Sequence, residues 1–158
     1  AALIANDGVY DYADAHRAAA AVPPEKHAEF DEALRAKDAP ELDLKLEAAM
    51  KASPTARWAI NHGMFATGAK SPRAYFAKTL EFNVKDGVAE KLSCPTLGME
   101  AEDDLLVKGQ PQLLFDHLTC RKTIMRFTNA ESAGAHCQVG ASRLAFARMF
   151  DWLDETLA

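Results

Sequence analysis

The chain holds only three cysteines, and their spacing is informative for what it excludes. Cys94, Cys120 and Cys137 form neither a disulfide framework nor the close pairs that hold structural zinc, so no metal site is expected. They read as reduced thiols, and the expected location is cytoplasmic. No apolar run approaches the ~18 residues of a membrane span, and no basic stretch leads into an apolar signal core. Lys and Arg number 18 against 23 Asp and Glu, a net charge of −5, which leaves no basic stripe for nucleic acid. Neither a nucleic acid nor a membrane is therefore an expected partner. Internal repeats and low-complexity tracts are missing too. What is there is ordinary: 158 residues, 49% apolar and 26% charged, enough for one domain with a sizeable core. The first residues, Ala-Ala-Leu-Ile-Ala, lack a methionine and read as an interior segment.

The pattern changes twice along the chain. Residues 1–12 give a short apolar run, Ala2 to Ala5, closed by the turn signal Asn6-Asp7-Gly8. They predict a buried parallel strand and, after it, a loop on the functional edge. Asp7, Tyr10, Asp11 and Tyr12 then border a pocket mouth, although each also fits a polar turn and a helix cap. Asp11 and Tyr12 are taken forward as substrate-binding candidates.

Residues 13–90 lose every strand signal. Alanine, lysine and glutamate dominate, and prolines stand where helices would begin. Ser53-Pro54 and Ser71-Pro72 are matched starts: the serine satisfies free amides, and proline has no N–H to lose. Leu42, Leu46, Ala49 and Met50 predict one apolar helix face, and Tyr75, Phe76, Thr79 and Leu80 another. This is more helix than a crossover needs, so the segment reads as a helical cap or lid. Within it, Arg57 to Phe65 mixes large apolar groups with Asn61 and His62. Small-molecule pockets combine apolar walls with a few placed polar groups, which makes His62 and Met64 candidate substrate-lining residues. Trp58 and Ile60 read as core.

Residues 91–158 restore an α/β alternation. Cys94 to Glu100 predicts a strand, Gly109 to Leu118 a crossover helix, and Lys122 to Phe127 a second strand. A closing helix from Gly140 to Leu157 carries Phe146, Met149, Phe150, Leu153 and Leu157 at helical spacing. The strands are joined by crossovers, never by hairpin turns. Parallel sheets rarely stand on so few strands, so the sheet is expected to be incomplete and the chain to be part of a larger protein.

Two loops concentrate the chemistry. The first strand of this segment runs into Ala101-Glu102-Asp103-Asp104, and the next is followed by Gly134-Ala135-His136-Cys137. In open parallel sheets, catalytic groups gather beyond the carboxyl ends of strands, where an acid and a histidine from successive strands can meet. That is the acid–histidine half of a nucleophile–histidine–acid triad.

From Cys94 to Leu157, through the small-x-x-Asp turn at Asp104 and the Ala-His-Cys loop at His136, the sequence resembles the C-terminal part of bacterial α/β-fold hydrolases. Ile60-Asn61-His62-Gly63-Met64-Phe65 and the residues to Pro72 resemble the cap of one branch of them. That branch includes 2,6-dihydroxypseudooxynicotine hydrolase and fungal pigment hydrolases that cut carbon–carbon bonds beside a ketone. The resemblance implies an α/β-hydrolase fold with a helical cap, and catalytic roles for Asp104 as acid (Asp103 being the neighbouring alternative) and His136 as base. It also implies a homodimer, no cofactor, and a small-molecule substrate that is an ester or a ketone. The family's serine, in a G-x-S-x-G elbow, has no counterpart: Ser53, Ser71, Ser93, Ser132 and Ser142 all lie outside that pattern. The serine and the oxyanion hole are therefore expected in a missing N-terminal half, and the 158-residue chain alone is expected to be nearly inactive. Cys137 is a rival nucleophile, but no helix N-terminus or cation lowers its pKa, and its neighbour His136 should point away from it. The expected division is 1–12 strand and pocket edge, 13–90 cap, and 91–158 catalytic core segment. The alternative is a non-catalytic binding module that keeps hydrolase architecture.

Overall fold

The computed structural model describes residues 1–158, which divide into two compact units: 1–11 with 83–158, and 12–82. The first unit is α/β. Strands β1 (Leu3–Asn6), β2 (Thr96–Ala101) and β3 (Lys122–Phe127) form an open parallel sheet in that order. β1 is registered Ile4 to Leu97 and Ala5 to Gly98, and β2 is registered Met99 to Met125 and Ala101 to Phe127. Such a sheet, with crossover helices and both edges open, is consistent with part of an α/β-hydrolase fold.

Successive strand residues face opposite sides. On one side Leu97, Met99 and Phe127 are fully buried with Ala145 and Trp152 of the closing helix. On the other, Ala5 packs near Leu114 and Leu118, at the crossover helix and its end. The helical unit contains α1 (Tyr12–Ala19), α2 (His27–Arg35), α3 (Pro40–Ala52), α4 (Pro54–Thr67) and α5 (Pro72–Thr79). In the α/β unit, α6 (Gln110–His117) joins β2 to β3, and α7 (Ser142–Leu157) closes the chain. Covering both faces in this way is what a parallel sheet requires.

The serine caps form as the sequence suggests: Ala56 N–H donates to Ser53 Oγ and Ala74 N–H to Ser71 Oγ, both at 3.2 Å. Helix α4 approaches α5 so closely that a Cβ on Gly63 would sit 2.3 Å from the Tyr75 ring. Leu34, Ala13 and Leu80 are the buried centre of this unit, with Phe30, Leu42 and Phe76 around them.

Two helix faces differ from expectation. In α7, Met149 and Leu153 of the expected stripe do pack on the core, beside buried Ala145 and Trp152, while Phe146, Phe150 and Leu157 are exposed. The expected and the buried stripe both have helical spacing, offset by one residue. Trp152 decides between them, because its large ring is buried and its indole N–H donates to Thr123 Oγ1 at 3.1 Å. Helix α3 buries no residue fully; only Leu42 of its expected face joins the helical core. Trp58 is also not core: it is 63% exposed and stacks on His62, whereas Ile60 is buried. No helix is long and apolar enough to cross a membrane.

Candidate active site

The acid turn forms because β2 ends at Ala101 and the chain folds back on itself immediately. Asp104 is 3% exposed, and its Oδ1 accepts the backbone N–H groups of Leu106 (2.7 Å) and Val107 (3.0 Å). Asp103 is exposed, and its N–H donates to Gly134 O at 2.8 Å, tying the acid turn to the histidine loop. A Cβ at Gly134 would displace the Asn129 side chain. That side chain in turn donates from Nδ2 to Asp103 Oδ2.

Across this seam, His136 Nδ1 lies 2.8 Å from Asp104 Oδ2. An ionised carboxylate only accepts, so the proton of the neutral ring belongs on Nδ1, and Nε2 carries the lone pair. Burial pushes the Asp104 carboxyl up, but hydrogen bonds from His136, Val107 and Leu106 outweigh it and hold the group below the ordinary carboxylate range. The ring is only partly covered, with 38% of its side chain exposed. The arrangement thus combines a fixed, charged acid with a partly exposed imidazole whose second nitrogen is left to accept a proton.

A third side chain joins them. Asp7 directly follows β1, as Asp104 follows β2, and is 4% exposed. Its Oδ2 accepts the Cys137 N–H and lies 3.4 Å from His136 Nδ1, while its Oδ1 accepts from Gln138 Nε2 at 3.2 Å. The sequence reading placed Asp7 only at a pocket mouth. The missed signal was positional: two parallel strands, each followed by aspartate, open onto one edge. Asp7, His136 and Cys137 have potential ligand atoms within 4.8 Å of one another. The Asp7 oxygens already accept N–H donors and Nδ1 faces Asp104, which makes this a hydrogen-bonded cluster rather than a ligand set. Burial and the nearby Asp7 and Asp104 charges push the Cys137 thiol up, against a thiolate nucleophile.

Of the other candidates, one belongs to the α/β unit and three to the helical unit. Asp11 is fully buried, its Oδ2 accepting from Lys85 Nζ at 2.7 Å, and its N–H donates to Gln110 Oε1. Tyr12, His62 and Met64 belong to the helical unit. Tyr12 is 37% exposed, His62 is exposed with its ring 5.7 Å from that of Trp58, and Met64 is half-buried. None of the three lines the helical unit's concavity of ~590 Å³, which is bounded by Val22, Phe30, Pro40 and Leu42 among others.

Comparison with known proteins gives two fungal hydrolases. The chain is 31% identical over 105 residues to the hydrolase LUC6 of a Fusarium species, covering 63% of this chain and 25% of that protein. It is 28% identical over 109 residues to the 20-hydroxy-prefusarin hydrolase FUS2 of Gibberella moniliformis, covering 64% of this chain and 26% of that protein. The chain therefore spans about a quarter of the length of the curated relatives it matches. No protein-family profile and no solved structure matches it. The similarity is to hydrolases.

Proposed function

We propose that these residues supply the acid and base of a serine-type α/β-hydrolase whose nucleophile lies outside residues 1–158. The observation that carries this reading is the 2.8 Å contact between His136 Nδ1 and an Asp104 already charged by two backbone N–H groups. Two hydrolases among the relatives support the reaction class. The resemblance to the capped, carbon–carbon-cleaving branch supports a small, partly aromatic ester or ketone as substrate.

The chemistry follows from the tautomer. His136 Nε2 takes the proton from the serine hydroxyl as its oxygen bonds to the substrate carbonyl carbon. Asp104 stabilises the imidazolium that results. The imidazolium then returns the proton to the leaving oxygen or carbon. Water attacks the acyl-enzyme with the same ring as base, and serine leaves protonated. Ester and ketone cleavage share an oxyanion intermediate, so one pair of residues serves either. No cofactor is needed for these steps. Tyr12, His62 and Met64 are proposed as substrate-lining residues; Asp11, expected to bind substrate too, is fully buried against Lys85 and is proposed instead to shape the loop after β1.

The test is His136→Ala in the complete protein, assayed on aryl esters and aryl ketones. Turnover should fall by at least about 10⁴-fold, as expected for loss of a triad member. Turnover within a few-fold of the unsubstituted protein would refute the assignment.

A further inference from the structure

Asp104 accounts for one side of the histidine, yet the same ring edge faces a second buried carboxyl that the reaction as written leaves unused. Asp7 touches all three residues of the turn that carries the base. Its Oδ2 is 3.4 Å from His136 Nδ1 and accepts the next residue's N–H, and its Oδ1 accepts the Gln138 side-chain amide. Its own N–H donates to Met99 O at 3.0 Å, which anchors it to β2.

The turn needs such an anchor. Cys137 and Gln138 both adopt left-handed backbone conformations, with φ of 52° at each. Neither is glycine, and non-glycine residues held there persist only where surrounding contacts fix them. Asp7 itself has φ of 46°. Three left-handed residues thus meet around one imidazole, joined through the Asp7 carboxyl.

We propose that Asp7 is a positioning residue that shares the His136 imidazole with Asp104, locking the histidine turn and standing as a second carboxyl partner on the Nδ1 side. This rests on the hydrolase reading for its catalytic consequence, but not for the geometry.

The charge environment agrees. The groups facing Asp7 are Asp104 after β2, and His136 and Cys137 on the turn. Burial raises the Asp7 carboxyl above its ordinary range, the Cys137 N–H opposes this, and Asp104 adds to the rise. Asp104 is displaced the opposite way. Two buried carboxyls at one site separate in this manner because both cannot readily ionise side by side. Asp104 carries the fixed charge, and Asp7 is the member that protonates first as pH falls.

The experiment uses the complete protein selectively labelled with ¹⁵N-cysteine. The Cys137 amide donates to Asp7, so its resonance reports Asp7 titration without any need for turnover. In the unsubstituted protein it should move with a midpoint above that of an ordinary aspartate. In Asp104→Asn, which keeps the shape and removes the charge, the midpoint should fall, by roughly 1 pH unit for a close like charge removed. An unchanged midpoint would overturn the shared arrangement and leave Asp7 a structural clamp.

A second readout follows uptake of a fluorophosphonate probe against pH. Asp7→Asn should lower uptake several-fold, because the histidine turn loses the carboxyl that clamps it. Asp104→Asn should retain about 10-fold more probe uptake than the Asp7→Asn/Asp104→Asn double variant. Equal uptake in the single and double variants would also overturn the proposal. Failure of the unsubstituted protein to take up any probe would count against the hydrolase reading, and the amide titration would still decide the role of Asp7. That titration needs only the Asp104→Asn variant, so it stands even if Asp7→Asn does not fold.

Discussion

The polar groups after β1, β2 and β3 and those of α4 are built on opposite plans. Around His136 the three aspartate carboxyls are each committed. Asp104 accepts two backbone amides and the ring, Asp7 accepts two donors from the same turn, and Asp103 ties the two loops together. On α4, by contrast, the exposed His62 has the flat face of the exposed Trp58 ring against it. Helix α4 is held through Ile60 and through Gly63 against Tyr75, not through its polar residues. The lesson concerns where energy is invested. Pinned, buried charges fix a proton's location, which acid–base chemistry needs; a stacked, exposed surface leaves side chains free to adapt to something that binds.

That contrast can be broken from either side. The largest effect should come from the acid. Asp104→Asn keeps the size but removes the charge and, with its oxygen held by the Leu106 and Val107 amides, turns an NH2 donor toward Nδ1; turnover of the complete protein should fall about 10³- to 10⁴-fold. The variant should also lose a pH-dependent part of its stability. The folded state holds Asp104 below its ordinary value, so its ionised form stabilises the fold above about pH 4. That contribution disappears as pH falls through the lower, folded midpoint. Urea midpoints of the two proteins should therefore differ at pH 7 and converge as the pH drops below 4. A gap constant with pH would show that Asp104 acts without its charge. Asp7 has the opposite sign: its folded value is raised, so ionisation weakens the fold as pH rises through that window.

A core change in the helical unit should invert the pattern. Leu34 is 2% exposed at the centre of that unit, and Leu34→Ala should cost about 2–5 kcal/mol of stability. The His136–Asp104 contact lies in the other unit, so the rate of probe uptake at low temperature should change little. A collapse of uptake in a folded Leu34→Ala protein would mean that the two plans are not separable. The smallest effect is expected at Trp58. With 63% of its surface exposed, Trp58→Ala should alter stability by less than about 1 kcal/mol, read by thermal melting. If the α4 surface meets substrate, KM should rise while probe uptake stays constant.

How much of this was legible in the sequence depended on whether the cause was local. The serine–proline starts of α4 and α5 are local, and both serines accept the amides their spacing calls for. The strands were legible because short apolar runs bounded by turn residues leave little choice, and parallel order followed from the missing hairpins. The face of α7 was not legible. Two stripes of equal period compete there, and only the pocket beneath Trp152 and the Thr123 hydroxyl selects one. Trp58 was misplaced for a related reason: aromatic size argues for burial, but α4 already buries Ile60 and Gly63.

In the candidate site, the acid turn and the histidine loop could each be seen as the end of a strand. Their hydrogen bond depends on β2 and β3 pairing Ala101 with Phe127, which puts both exits at the same height. Asp7 was harder. Its link to Cys137 spans 130 residues and requires β1 to pair with β2 across the whole helical insertion. No window of sequence contains that relation. Asp11, beside the same loop, has its charge on Lys85, a partner equally remote in sequence.

The most direct test of the account is to treat the complete protein with a fluorophosphonate probe and map the labelled peptide by intact-mass and fragment analysis, with and without His136→Ala. One serine outside residues 1–158 should carry the label, with uptake abolished when His136 is replaced. Uptake that persists undiminished in His136→Ala would contradict it, because the 2.8 Å pair of His136 and Asp104 would then not be the base that activates the nucleophile.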